Sequence, residues 1–307
     1  MHSNMSIFPP YLKTGDKVGI TCPAGAVSDS DIQYMVEQWR QWGFEVLLGE
    51  TVGTSYYKFS APDEQRLQDL QRMLDDDSIK AILFGRGGYG MVRIIDRLDF
   101  SRFVQHPKWL VGYSDITCLH SHVQRHYGIA TLHAHMQAGY KPEEQHEEST
   151  HSLLASLMGE PIRYQIPLHI LNRIGHTQGH MVGGNLALLS DLCGTNSDIH
   201  TDGKILFIED ISEYKYNIDR MLWQLKKSDK LCRLAGLLVG SFTDTMDNEV
   251  PFGMSEYEMV YEKVAPYSYP VCFGFPVGHQ SHNLALVCGV KYQLDVRDDG
   301  VSLQIVE

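Results

Sequence analysis

Residues 80–90 read KAILFGRGGYG, and the change of character after Phe84 decides the fold. The run at 80–84 is too short for a helix and is apolar almost throughout, the pattern of a strand buried on both faces. It stops abruptly at Gly85-Arg86-Gly87-Gly88-Tyr89-Gly90. Four glycines in six residues permit a tight turn and a close backbone approach to a ligand. Upstream, residues 63–75 read as a helix with Leu67, Leu70 and Met73 on one face, and 44–48 (FEVLL) as a strand. Residues 30–42 carry Ile32, Met35, Val36 and Trp39 at helical spacing, with Ser28 or Asp29 placed to cap the start. Before them comes the strand 17–22 (KVGITC) and the loop Pro23-Ala24-Gly25. Downstream, the pattern predicts a helix over 91–98, a strand over 109–112 and a helix over 116–127. Strands alternating with helices at this spacing imply right-handed βαβ units and a parallel sheet. Ligands in such sheets bind outside the carboxyl ends of the strands. The loop after Phe84 and the turn after Gly112 both belong there.

The second half differs. Residues 141–150 (KPEEQHEEST) are polar and charged with no apolar period, which reads as an exposed connection. Strand patterns then dominate, at 179–182, 204–208, 236–240, 271–273, 284–286, 291–296 and 301–306, with one clear helix at 216–227. The expected organisation is an α/β chain with a parallel-sheet domain over 1–140, a linker over 141–170, and a smaller β-rich α/β domain over 171–307.

Bulk composition excludes several classes. Hydrophobic residues make up 43% of the 307-residue chain and charged residues 21%, a globular balance. A net charge of −12, with lysines and arginines scattered, disfavours nucleic acid as a partner. The six cysteines, Cys22, Cys118, Cys193, Cys232, Cys272 and Cys288, show no C-x-x-C spacing and several sit in apolar runs, so free thiols are expected. Neither a secretory leader nor a membrane-length apolar run is visible, which makes cytoplasm the expected location.

Four segments can carry chemistry. In Gly112-Tyr113-Ser114-Asp115-Ile116 a strand runs into a small polar turn and a helix. A serine there is lifted out of the sheet in the manner of a nucleophile elbow, although Ile116 stands where G-x-S-x-G has its last glycine. Capping of the following helix by Ser114 or Asp115 explains the same letters. The glycine cluster is neither a P-loop nor G-x-G-x-x-G; it suits an anion cradle or an oxyanion-hole amide. In ILFIEDI, an apolar strand ends in Glu209 and Asp210, with Glu213 near; such carboxylates are either solvated or placed to orient a histidine. Finally, Pro276-Val277-Gly278-His279-Gln280-Ser281-His282 puts two histidines on a loop, where proton transfer near neutrality is within reach. His133, His135, His176 and His180 complete no established ligand spacing, so no metal and no cofactor is expected.

Taken in order, these segments resemble the LD-carboxypeptidase family of serine peptidases, which includes muropeptide LD-carboxypeptidases and microcin-immunity peptidases. The resemblance runs from Leu12-Lys13-Thr14-Gly15-Asp16-Lys17-Val18 and Pro23-Ala24-Gly25, through Arg86-Gly87-Gly88-Tyr89-Gly90, Gly112-Tyr113-Ser114-Asp115 and Gly183-Gly184-Asn185-Leu186, to Glu209-Asp210-Ile211 and Gly278-His279. It implies a flavodoxin-like first domain, a site in the cleft between domains, and a homodimer. It implies Ser114 as nucleophile, His279 as base and Glu209 as its orienting carboxylate, with backbone amides of Asp115, Gly87 and Gly88 as oxyanion hole. Arg86 and Tyr113 are the expected substrate contacts. The implied reaction is hydrolysis of an L,D-peptide bond, releasing D-alanine from a muropeptide tetrapeptide; the alternative substrate is a peptidyl-nucleotide. Where the family pattern leads one to expect His-Gly-Pro, this chain has His133-Ala134-His135, which bears on substrate more than on chemistry.

Overall fold

A computed structural model describes residues 6–306. Its first sheet is built from β1 (Lys17–Thr21), β2 (Glu45–Leu48), β3 (Ile79–Phe84), β4 (Trp109–Gly112) and β5 (Thr131–His133), all parallel, in the order β5-β4-β3-β1-β2. Helix α1 (Asp29–Gln41) is capped by Ser28, whose hydroxyl accepts from the Asp31 N–H at 3.1 Å, and it buries Ile32, Met35, Val36 and Trp39. Helix α2 (Asp63–Asp75) has the bounds its apolar spacing gives. Residues 91–98 do not form the single helix expected. They form two 3-10 turns, Met91–Arg93 and Ile95–Arg97. Met91 and Ile94 are both fully buried, and three residues per turn sets them directly one above the other. A short helix α3 (Ser101–Gln105) precedes β4, and α4 (Thr117–His126) follows it.

The interval 141–170, expected as a linker, contains helix α5 (Glu147–Met158) and strand β6 (Arg163–Ile166). The helix is hard to see in sequence because part of its buried face is polar. Ser149, Ser152 and Ser156 lie inward beside Leu153 and Leu157, and the hydroxyls of Ser152 and Ser156 bond back to Ser149 O and Ser152 O.

The second sheet comprises β6, β7 (Gly175–Asn185), β8 (Ile205–Ile211), β9 (Gly236–Thr243), β10 (Val271–Phe273), β12 (Lys291–Arg297) and β13 (Gly300–Ile305), in the order β10-β9-β8-β7-β12-β13-β6. The β7-β8-β9-β10 half is parallel; the other half is antiparallel. Helices α6 (Leu186–Asp191), α7 (Lys215–Lys227) and α8 (Glu256–Val264) pack on the parallel half. The strand β11 (Leu286–Cys288) leaves this half of the chain and pairs antiparallel with β5, completing the first sheet. The two sheets are therefore joined by a strand as well as by α5. All six cysteines are free, four of them buried. No helix among the described residues is long and apolar enough to cross a membrane.

Candidate active site

The ends of β3 and β4 bring the glycine loop and the serine turn together. Ser114 has φ +62°, a left-handed conformation that a non-glycine residue holds only when its surroundings impose it. Neither Ser114 nor Asp115 caps α4. The Asp115 side chain turns instead to the glycine loop, where its Oδ2 accepts the Met91 N–H at 2.7 Å. Burial raises the Asp115 carboxyl above its ordinary value, and the Met91 amide opposes that rise. Gly87 lies against the serine: a Cβ built on it would stand 2.9 Å from Ser114 Cβ, 3.1 Å from its Oγ and 3.2 Å from the Asp115 amide nitrogen. Any side chain at 87 would crowd the Ser114 hydroxyl and the Asp115 amide. The N–H groups of Gly87 and Gly88 make no hydrogen bond among the described residues.

Behind the loop stands Pro23-Ala24-Gly25. The Gly25 N–H donates to Gly87 O at 2.8 Å, and a Cβ at Gly25 would meet that same oxygen at 2.8 Å. The fully buried Arg66 of α2 joins the two loops, donating to Gly90 O at 3.0 Å, to Pro23 O and to Ala61 O at 3.0 Å, while pairing with Asp63. Arg66 is a structural tie between these loops that sequence reading missed; an arginine on an otherwise ordinary amphipathic helix gives no signal. Arg86 is exposed, with one guanidinium nitrogen held 3.0 Å from Ala26 O.

The other half of the site comes from the second sheet. The β8–β9 register shifts between Ile208 and Asp210, a bulge that re-aims the side chain at Glu209. Glu209 is completely buried and its Oε2 lies 2.6 Å from His279 Nδ1, whose side chain is 12% exposed. Nε2 of His279 makes no hydrogen bond to the protein among the described residues. Burial pulls the His279 imidazole down, but the Glu209 charge and hydrogen bond, with Asp210 behind, more than reverse this, leaving it above the ordinary histidine value. The close seating of the loop on the carboxylate depends on Gly278 at φ +119°, where a Cβ would meet Glu209 Cβ at 2.7 Å and Ser241 Oγ at 2.6 Å.

Asp210 does something else. Its Oδ1 accepts from Asn185 Nδ2 at 2.8 Å and its Oδ2 from the Ala187 N–H at 3.0 Å, while Asn185 Oδ1 caps α6 through the Leu188 N–H at 3.2 Å. Asn185 N in turn donates to Thr117 Oγ1 at 3.0 Å, and Gly184 has no side chain because Thr117 Oγ1 would lie 2.4 Å from its Cβ. The Gly183-Gly184-Asn185 segment thus docks the second sheet on the start of α4, just beyond the serine turn. The loop of His279 is held from a third side: Ser149 Oγ donates to Ser281 O at 3.0 Å, the Asn283 N–H donates to Ser149 Oγ at 2.7 Å, and the Gly278 N–H donates to Asn283 Oδ1 at 3.0 Å.

The two halves meet at Tyr113. Its ring centroid is 4.6 Å from that of His279 and 5.8 Å from that of His133, so the residue before Ser114 packs on the histidine. The Ser114 hydroxyl makes no hydrogen bond with His279 in this structure. Bonds of this kind are often long before substrate binds. His133 is fully buried between Tyr113 and Phe207, and His135 is buried against Tyr140; no ring nitrogen of either finds a hydrogen bond among the described residues. His133 therefore backs Tyr113, whereas His135 packs away from the serine turn.

Both the sequence and the fold match known proteins. Residues 18–134 match the model of the LD-carboxypeptidase N-terminal domain and residues 178–294 that of the LD-carboxypeptidase C-terminal domain. A probable murein peptide carboxypeptidase of Bacillus subtilis is 34% identical over 304 residues, covering 94% of this chain and 92% of the relative. A murein tetrapeptide carboxypeptidase of Pseudomonas aeruginosa is 32% identical over 281 residues, covering 88% and 90%. The crystal structure of a muramoyltetrapeptide carboxypeptidase from Oxalobacter formigenes superposes with a TM-score of 0.86 at 26% identity, covering 95% of this chain and 99% of that one. The microcin C7 self-immunity protein MccF, at 21% identity and TM-score 0.86, covering 99% of this chain and 98% of that one, shares the fold.

Proposed function

The chain belongs to the LD-carboxypeptidase family, and we propose that it is a serine carboxypeptidase that cleaves the L,D-bond of a murein tetrapeptide and releases the terminal D-alanine. The observation that carries the catalytic assignment is the buried Glu209–His279 hydrogen bond of 2.6 Å, with the imidazole packed on Tyr113 of a serine turn held in a left-handed conformation. In the proposed cycle, Nε2 of His279 takes the Ser114 proton as Oγ forms a bond to the scissile carbonyl carbon. Glu209 holds Nδ1–H, so that Nε2 is the free nitrogen, and stabilises the imidazolium that forms. The carbonyl oxygen gathers charge against the amides of Gly87 or Gly88 and of Asp115, each such donor contributing about 3 kcal/mol to the transition state. His279 then returns its proton to the leaving amine, and water, deprotonated by the same nitrogen, releases the acyl group and restores Ser114.

Arg86 fits the role of holding the terminal carboxylate, because its exposed guanidinium keeps donors free beyond the one on Ala26 O. Tyr113 walls the cleft beside His279. The murein reading is preferred over a peptidyl-nucleotide because the relatives named for murein peptides are 32–34% identical over nearly the whole chain. The proposal extends to a cytoplasmic homodimer, checked by sedimentation equilibrium and cell fractionation. The central test is mass spectrometry of a tetrapeptide muropeptide incubated with the protein. Loss of one alanine is expected, and none with Ser114→Ala of unchanged fold. Full turnover by that variant would remove Ser114 from the mechanism.

A further inference from the structure

Two histidines beside the base loop take no part in the chemistry above. His146 immediately precedes α5, Glu148 stands in its first turn, and His282 lies three residues beyond His279. The rings of His146 and His282 are stacked, with centroids 4.1 Å apart and planes inclined by 16°. Glu148 Oε2 is 2.8 Å from His282 Nε2. That separation makes an ion pair whenever the imidazole is protonated, whereas His146 Nδ1 is buried with no hydrogen-bond partner among the described residues. One donor atom from each of the three residues lies within 4.8 Å of the other two. A buried imidazole nitrogen left unpaired is costly, and a cation shared with His282 and Glu148 would satisfy His146 Nδ1.

We propose that His146, Glu148 and His282 bind a divalent first-row transition ion, zinc above all, and that this ion staples the His279 loop to the start of α5. The donor set selects the class of ion. Two imidazoles and one carboxylate suit zinc and its neighbours, whereas magnesium and calcium take oxygen ligands. Bonds of about 2.0–2.2 Å with one position left for water fit a three-ligand zinc site. Glu148 is the adjustable member, being largely exposed on one side of the stack. The loop is already tied to α5 through Ser149, which bonds Ser281 O at 3.0 Å and the Asn283 N–H at 2.7 Å. A metal bridge through His282 adds a second tie on the same short loop, so its occupancy acts on the position of His279. Ion binding does not depend on the peptidase reading; only its consequence for turnover does.

The test uses the whole chain, freed of metal by chelator and titrated with Zn(II) by calorimetry and with Co(II) by visible absorption. One equivalent should bind with a dissociation constant on the order of micromolar or below, with a Co(II) d–d spectrum of low-coordinate type. Glu148→Gln and His282→Gln should each weaken binding by about a hundredfold, since loss of even an outer-shell partner costs about 10–100-fold. Glu148 is exposed, so its variant folds and decides the matter if the histidine variant does not. Absence of saturable binding at millimolar ion, or binding undiminished in Glu148→Gln, overturns the proposal. Zinc should also raise the melting temperature of the native chain and not that of Glu148→Gln. Metal binding without muropeptide cleavage would leave this site standing and refute the peptidase reading instead.

Discussion

Replacing Glu209 by Gln tests the site at its most constrained atom. The side chain is fully buried and its Oε2 lies 2.6 Å from His279 Nδ1, so the near-isosteric amide fits the cavity and removes only the charge. Two losses follow. A hydrogen bond to a charged group contributes about 1.5–3 kcal/mol where a neutral one contributes about half of that. The amide is also free to turn its NH2 towards Nδ1, which forces the proton onto Nε2 and leaves no base facing Ser114. The corresponding change in a Ser-His-Asp triad lowers kcat about 10⁴-fold through the wrong tautomer. For Glu209→Gln, a fall of roughly 10³–10⁴ in kcat/KM is expected, or about 4–5.5 kcal/mol at 1.36 kcal/mol per decade. The Glu209 charge is also what lifts His279 above its ordinary value against burial. Activity requires the neutral imidazole and so falls as pH drops through that raised value; with Gln at 209 the acidic limb of kcat/KM should move to lower pH. The assay is alanine release from tetrapeptide muropeptide, followed from pH 5 to 9. A loss of less than about tenfold with an unmoved acidic limb would refute the role given to Glu209, because an unsupported histidine cannot keep the advantage ascribed to the pair.

Gly278→Ala places a Cβ 2.7 Å from Glu209 Cβ at φ +119°, so about 1–3 kcal/mol of backbone strain adds to a clash; urea unfolding should show the lowered midpoint and turnover should collapse, while an active variant of wild-type stability would contradict the close seating of the loop. Burial and the Glu209 charge push the Asp210 carboxyl up to about 7. A raised carboxyl stabilises the fold fully below its unfolded value of about 3.9 and loses that contribution as pH rises through about 7, so Asp210→Asn should flatten the stability–pH curve across that window in thermal melts. The same variant withdraws a charge that helps raise His279, so its acidic limb should also shift downward; a limb shifted upward would reverse the assigned electrostatics. Ser149→Ala leaves the buried Asn283 N–H without its acceptor at 2.7 Å, a cost of about 1–3 kcal/mol, and because Asn283 holds the Gly278 N–H, kcat should fall more than KM rises; kinetics identical to wild type would show that the α5 tie does not position His279.

How much of this was legible follows from where the information resides. The βαβ alternation could be read because β3 and β4 are short apolar runs ended by glycines, and because α1 and α2 each bury apolar residues at helical spacing. Glu209, His279 and Ser114 stand out in the sequence because they lie near a strand end, on a Gly-containing loop and in a turn, and the structure brings the first two to 2.6 Å. What escaped is polar and inward-facing. Helix α5 hid behind Ser149, Ser152 and Ser156, whose hydroxyls are satisfied by its own backbone and by the base loop, so its buried face lacks the apolar signature that periodicity detects. Arg66 hid for the same reason, a charge buried because backbone carbonyls from two loops surround it. Tyr113 shows the complementary case. Its letter beside Ser114 is visible, but only the pairing of β4 with β5 and the docking of Gly184 on Thr117 bring its ring to 4.6 Å from an imidazole 166 positions along the chain. Local sequence specifies which groups stand at the ends of elements. Which of those ends face each other is set by non-local contacts, here the Gly183-Gly184-Asn185 dock and the crossing strand β11, and these contacts bring the loop of His279 against Tyr113, the residue before Ser114.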